Sequence, residues 1–278
     1  MKLATLRHQD STVAARIDGD AAVVISPYSS VSELLRNPQW QTIAAGAEGP
    51  AIEVHNADYA PVVPAPTKII CVGLNYANHI KEMGRALPEY PTLFAKFPEA
   101  LIGANDDVEV PSYADQEVDW EGELAIVIGR TARQVSESDA ADHIAGYTVA
   151  NDVSMRDYQN RTLQWLQGKT FERTCPIGPV LVTADEFVVG ATLTTTVDGE
   201  TKQLDSTGDL VFGPSALVEY VSHIVTLQAG DVILTGTPGG VGHANDTYLS
   251  DGSVLVTSID GLGTLRNSVR VHSSVSVG

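Results

Sequence analysis

Four acidic residues stand at alternate positions in the segment EVDWEGELAIVIG: Glu117, Asp119, Glu121 and Glu123. An extended strand turns every second side chain to one face, so this spacing gathers four carboxylates on one side of a chain that runs straight into the apolar LAIVIG. An unbroken apolar run of that kind implies burial on both faces. A second apolar run, AGYTVA, ends at Asn151-Asp152 in the same way. Three ionised carboxylates brought within about 4 Å of one another repel by on the order of 4 kcal/mol per pair at an effective dielectric near 20. A divalent cation reverses the sign of that interaction, and all-oxygen ligation selects a hard ion such as Mg²⁺, Mn²⁺ or Ca²⁺ over zinc. E-x-E pairs are also common on exposed edge strands, and spacing alone leaves both readings open.

Three further groups bear on that choice. In GLNYANHIKEMG, His79 and Glu82 are three residues apart and share a face if the segment is a short helix. A carboxylate so placed orients an imidazole and raises its basicity, which suits a general base working near neutral pH; a surface His beside a surface Glu gives the same spacing. The segment SMRDYQNRTLQWLQGKTFERT follows Asp152 and supplies Arg156, Gln159 and Lys169, donors able to grip a carboxylate or an enolate oxygen. Arg161 and Arg173 are equally basic, and spacing does not choose among them. The glycine loop TGTPGGVG, residues 235–242, lacks both the G-K-[ST] of a phosphate loop and the G-x-G-x-x-G of a dinucleotide fold. It reads as a tight turn at a strand end. No G-x-S-x-G elbow is present, which weakens a serine hydrolase reading.

The elements that must position these residues are mostly strands. KLATLR, STVAARI and AAVVIS, with a turn at Asp18-Gly19-Asp20, make a β-rich start, and SVSELLRNPQWQTIAAG reads as one or two short helices interrupted by Pro38. Pro61, Pro64 and Pro66 favour a stiff extended connector. We place the boundary between a small N-terminal domain, 1–65, and a larger catalytic domain, 66–278, at that point. From Lys68 onward β-branched alternation dominates, and helices are expected only in NYANHIKEMG, after Ser136 and in SALVEYVSHIVTL.

Composition narrows the function. Of 278 residues, 43% are hydrophobic and 19% charged, so the chain is globular. Seventeen Lys and Arg against 35 Asp and Glu give a net charge of -18, which repels nucleic acid and anionic membranes. Cys71 and Cys175 lie in apolar contexts and are expected as reduced core thiols. The absence of a signal-like start or a membrane-length apolar run leads us to expect a cytoplasmic protein.

Taken in order, VGLNYANHIKEMG, LFAKFPEALIG, VDWEGELAIVIGR, GYTVANDVSMRDYQ, GKTF, GPVLVT, LQAGDVILTGTPGGVG and IDGLGTLRN resemble the fumarylacetoacetate hydrolase superfamily over about residues 66–270, in its acylpyruvase or 2-hydroxyhepta-2,4-diene-1,7-dioate isomerase-like branch. The resemblance implies an α+β, predominantly β fold, a mixed roll or sandwich with a smaller N-terminal domain, in a homodimer. It implies that Glu121, Glu123 and Asp152 ligate Mg²⁺ or Mn²⁺, that His79 and Glu82 form a catalytic dyad, that Lys169 is a further catalytic residue polarising the substrate, and that Arg156, Gln159, Thr237, Gly236 and Lys96 lie at the substrate. GKTFERT departs from the common family pattern at Glu172 and Arg173. The expected substrate is a small 2-oxo acid. The expected reaction is hydrolytic C-C cleavage of a 2,4-dioxo acid of the acylpyruvate or fumarylpyruvate type, the dyad preparing the water. Oxaloacetate decarboxylation and 2-hydroxydienoate isomerisation use the same electron sink, and a non-catalytic metal- and ligand-binding homologue would retain the same acids.

Overall fold

The computed structural model describes residues 1–82, 84 and 86–273, and for His79 and Glu82 the backbone only. Its main sheet holds 12 strands. From one edge the order is Ala51–Glu53, Ala21–Val24, Ser11–Asp18, Lys2–His8, Cys175–Thr183, Ile144–Asn151, Gly122–Ile128, Val232–Leu234, Ile69–Gly73 and Thr92–Lys96, with Asp58–Tyr59 and Leu101–Ile102 attached beside this path. The N-terminal hairpin thus joins the later strands through antiparallel pairing of Lys2–His8 with Cys175–Thr183. Residues 60–68, with the three prolines, form a connector without helix or strand. A second sheet of five strands runs Glu200–Ser206, Thr192–Val197, Val254–Ile259, Gly263–His272 and Val108–Pro111.

Every residue of Gly122–Ile128 and of Ile144–Asn151 is buried, as the apolar runs demand. Alternation divides the first of these between two cores. Leu124, Ile126 and Ile128 pack with Leu193, Ile259 and Leu265 of the second sheet. Ala125 and Val127 face the opposite way, toward Leu3, Leu34, Leu35 and Trp40. Each fully buried aliphatic side chain stabilises the fold by about 2 kcal/mol, so these strands are rigid supports. By the same alternation Glu123 shares the face of Ala125 and Val127.

The helices fall where local signals put them. Ser30 accepts from the Glu33 N–H and starts Val31–Leu35; Pro38 separates that turn from Trp40–Ala45. Ser136 caps Glu137–Ala140, and Pro214–Ile224 is the longest helix described. Ala77–Glu82 is helical as its spacing predicts. Four elements are not legible in the same way: the strand Thr92–Lys96, the single turns Arg156–Gln159 and Leu166–Lys169, and the strand Glu200–Ser206. Among the described residues no helix is long and apolar enough to cross a membrane. Cys71 and Cys175 are buried free thiols, and burial pushes Cys175 up to about 12, which keeps it protonated and unreactive.

Candidate active site

Glu123 is the second residue of Gly122–Ile128, and Asp152 follows directly on Ile144–Asn151. The two strands pair antiparallel with Gly122 opposite Asn151, which brings the acids at their ends together. Two hydrogen bonds fix the junction: the Asp152 N–H donates to the Glu121 carbonyl at 2.8 Å, and the Glu121 N–H donates to Asn151 Oδ1 at 3.0 Å. Glu121, Glu123 and Asp152 are all buried and offer oxygens within 4.8 Å of one another. This is the convergence the alternating acids and the Asn151-Asp152 terminus predict.

Asp119 does not join them. The chain breaks between the two-residue strand Val118–Asp119, which pairs with Ser154–Met155, and the long strand beginning at Gly122. The single continuous strand expected across EVDWEGELAIVIG is therefore two, and its four acids do not share one environment. Asp119 accepts from the N–H groups of Trp120, Gly242 and His243 at 2.8, 2.6 and 3.0 Å, and from Arg156 Nε and Nη2 at 2.9 and 2.7 Å. It anchors the guanidinium and ties the exit of the glycine loop to it.

Three cations surround the acids. Lys169 Nζ bridges Glu121 Oε2 at 2.6 Å and Asp152 Oδ2 at 3.0 Å. Lys96 Nζ holds Asp152 Oδ1 at 2.6 Å and also donates to the Lys169 carbonyl. Arg156 Nη2 reaches Glu121 Oε1 at 2.6 Å, and its Nη1 donates to Gln159 Oε1 at 2.8 Å. With Asp119 included, four carboxylates face three cations and one negative charge is left over.

The surplus resides on Glu123. Its Oε2 accepts one N–H, from Gly236 at 2.7 Å. Burial pushes its carboxyl well above the ordinary range, the charges of Asp152 and Glu121 push it further, and Gly236 and Lys169 only partly oppose them. Asp152 shows the opposite balance: burial raises it, but Lys169 and Lys96 outweigh burial and hold it low. Lys96 and Arg156 are raised, because their carboxylate partners overcome the cost of burying a cation. A cluster of oxygen donors with uncompensated negative charge is what a hard divalent cation fits, and the three acids could hold one.

The glycine loop lies against the same strand end. Gly236 adopts φ +96°, and a Cβ there would stand 2.8 Å from the Val72 carbonyl oxygen, so the loop needs glycine for conformation and for space. Thr237 Oγ1 donates to the Gly122 carbonyl at 2.9 Å and accepts from Gln203 Nε2 at 2.8 Å. Gln203 also accepts the Gly122 N–H at 3.0 Å, binding strand and loop together; the sequence offers no signal for it. His79 and Glu82 belong to the helix Ala77–Glu82, which follows Asn75, a buried residue bonded to Thr235 and Phe212. The dyad expected of their side chains lies outside the described residues.

Residues 68–270 match the family model described as the C-terminal domain of fumarylacetoacetate (FAA) hydrolase. The human mitochondrial oxaloacetate tautomerase FAHD2A is 42% identical over 232 residues, 81% of this chain and 74% of that protein. Two solved structures share the whole fold. A fumarylacetoacetate hydrolase from Exiguobacterium antarcticum is 34% identical with a TM-score of 0.89, covering 98% of this chain and 100% of that one. A 2-hydroxyhepta-2,4-diene-1,7-dioate isomerase from Mycobacterium marinum is 34% identical with a TM-score of 0.83, covering 99% and 100%. The chain belongs to the fumarylacetoacetate hydrolase family.

Proposed function

We propose that this protein is a divalent-cation-dependent tautomerase of short 2-oxo acids, oxaloacetate foremost, interconverting keto and enol forms. The observation that carries this reading is the buried Glu121-Glu123-Asp152 cluster with its surplus negative charge on Glu123 and the ammonium of Lys169 and guanidinium of Arg156 alongside. Glu121, Glu123 and Asp152 would hold Mg²⁺ or Mn²⁺, which would supply Lewis acidity for enolisation of a 2-oxo acid. Lys169 and Arg156 stabilise negative charge as it develops on oxygen. Thr237 and Gly236 border the substrate carboxylate, and Gln159, whose amide oxygen accepts from Arg156, offers its amide donors to the substrate. In the dyad expected from the sequence, His79 with Glu82 takes the proton from C3 and returns it to oxygen; one C–H bond breaks, one O–H bond forms, and the double bond moves from C2=O to C2=C3.

Hydrolytic C-C cleavage, expected from the sequence, requires a prepared water and attack at a second carbonyl. Tautomerisation requires the proton transfer alone, and relatives named as an oxaloacetate tautomerase and a dienoate isomerase support the shorter reaction. The test is to follow the enol absorbance of oxaloacetate with Mg²⁺-loaded protein. Enol–keto conversion should accelerate, and both chelation of the metal and His79→Ala should abolish the acceleration. Faster release of pyruvate and acetate from acetylpyruvate than any enol–keto conversion would return the site to hydrolysis. No turnover of either acid would leave a binding protein.

A further inference from the structure

Two routes of contact lead from the carboxylate cluster to Trp165. Along one, Lys169 Nζ lies 5.2 Å from the centroid of the Phe94 ring, and Phe94 meets the Trp165 indole nearly edge-on, with centroids 5.5 Å apart at 71°. Along the other, Glu123 accepts the Gly236 N–H, Gly236 abuts the Val72 carbonyl, and a Cβ on the next residue, Gly73, would stand 2.5 Å from Trp165 Cζ3. The second route is backbone and glycine throughout.

Gly73 is not among the residues with positive φ, so its backbone makes no demand for glycine. The demand comes from the indole, which rests where any side chain at 73 would project. Thr92–Lys96 places Phe94 and Lys96 on one face. Gly73 pairs with Thr92, and Cys71 with Phe94, in the adjoining strand, so Gly73 lies beside Phe94 on that face. Trp165 immediately precedes the turn Leu166–Lys169 and stands four residues from Lys169, above it on one side. Among the described residues Lys96, Asp119 and Asp152 are 0–2% exposed, and Arg156 is bound on both edges. Phe94 and Trp165 are half-buried, whereas Trp40 and Trp120 are core residues.

We propose that Trp165, seated on Gly73 and braced by Phe94, is the specificity-determining wall of the substrate site, and that it restricts the site to short, unbranched 2-oxo acids. This rests on the tautomerase reading above. A ligand gripped at the acid cluster that extends past Lys169 toward Phe94 meets the aromatic pair within a few carbons. In a pocket of this kind each methylene that fits or fails to fit is worth about 10-fold or more in kcat/KM.

The test compares kcat/KM for enol–keto conversion of oxaloacetate and of straight-chain 2,4-dioxo acids bearing acetyl to hexanoyl groups, in wild type, Trp165→Ala and Trp165→Phe, with calorimetric titration of oxalate in Mg²⁺. Trp165→Ala should raise the long-to-short ratio by about 10-fold or more, Trp165→Phe should restore most of the wild-type preference, and oxalate, which has no chain to reach the wall, should bind all three alike. An unchanged ratio in an active Trp165→Ala protein overturns the wall while leaving the tautomerase reading intact. Oxalate affinity that falls together with turnover marks a collapsed site and likewise overturns it. A wild type that neither binds oxalate nor converts any of these acids removes the underlying reading, and the wall with it.

Discussion

Asp231 and Glu123 are both buried carboxylates, and they meet opposite ends of one three-residue strand, Val232–Leu234. Their surroundings differ completely. Asp231 accepts from Thr67 N–H, Thr67 Oγ1 and Lys68 N–H at 2.9, 2.7 and 2.9 Å, from Gln228 N–H at 2.7 Å, and from Lys68 Nζ at 2.7 Å. Glu123, at the Gly236 end, has the one N–H described above and two acids for neighbours. An acid that only holds a fold together is saturated by local backbone donors and a cation. An acid kept for chemistry is left short of donors, at a cost that a bound cation removes.

The contrast breaks most visibly at Glu123. Glu123→Gln should lower divalent-ion affinity, measured calorimetrically, by at least about 100-fold, the upper end of what even outer-shell substitutions cost, and should abolish turnover. The same change should raise the melting temperature of the metal-free protein near neutral pH, because it removes a buried carboxyl whose ionisation the fold suppresses. A lowered melting temperature with intact ion binding would make Glu123 a structural acid like Asp231.

Asp119→Asn should weaken ion binding by about 10–100-fold without removing any proposed ligand, because Arg156, no longer shared, would neutralise Glu121 alone. Unaltered affinity in titrations would show that Asp119 serves only the loop. Asp231→Asn is the converse. It should cost about 1–3 kcal/mol of stability in denaturant titrations and leave ion affinity and turnover at wild-type values; a change in either would join the two ends of the strand functionally.

The smallest effect is protonic. Glu123 is raised in the fold above its ordinary 4.5, so in the metal-free protein its ionisation costs stability that begins as pH rises past 4.5 and grows until its folded value is passed. Asp152, lowered below 3.8, contributes stability present above 3.8 and lost as pH falls through its folded value. The stability advantage of Glu123→Gln should therefore vanish near pH 4.5 and widen above it. Mg²⁺ binding to wild type should release a proton and tighten with pH, seen as a dependence of the binding heat on buffer ionisation enthalpy. Equal heats in all buffers would place Glu123 in its charged form before the ion arrives.

The three site acids were legible because each stands where an apolar strand begins or ends, a boundary the periodicity marks. Asp119 was legible as an acid but misplaced, since no feature of VDWEGE announces the break before Gly122 that sends it to Arg156 and the loop. Arg156, Gln159 and Lys169 could not be separated from Arg161 and Arg173 by spacing, because the two helical turns that carry them are each four residues long, too short to show a period. Thr92–Lys96 was hidden between Pro91 and Pro98, residues that usually argue against a strand. Gln203 sits on a polar strand of the second sheet, and only the fold brings it to Gly122. The glycine loop read as a tight turn; its φ at Gly236 agrees, and its N–H on Glu123 is knowledge that only coordinates supply.

Thr92–Lys96 is the outermost strand of the main sheet on the side of the site. Lys96 and Phe94 therefore come from an element with a single ladder partner, while Glu123 comes from one flanked on both sides. Amides with one neighbour fray sooner than those with two, so the molecule should breathe first at the corner where the lysine and the aromatic ring stand, while the acids stay fixed.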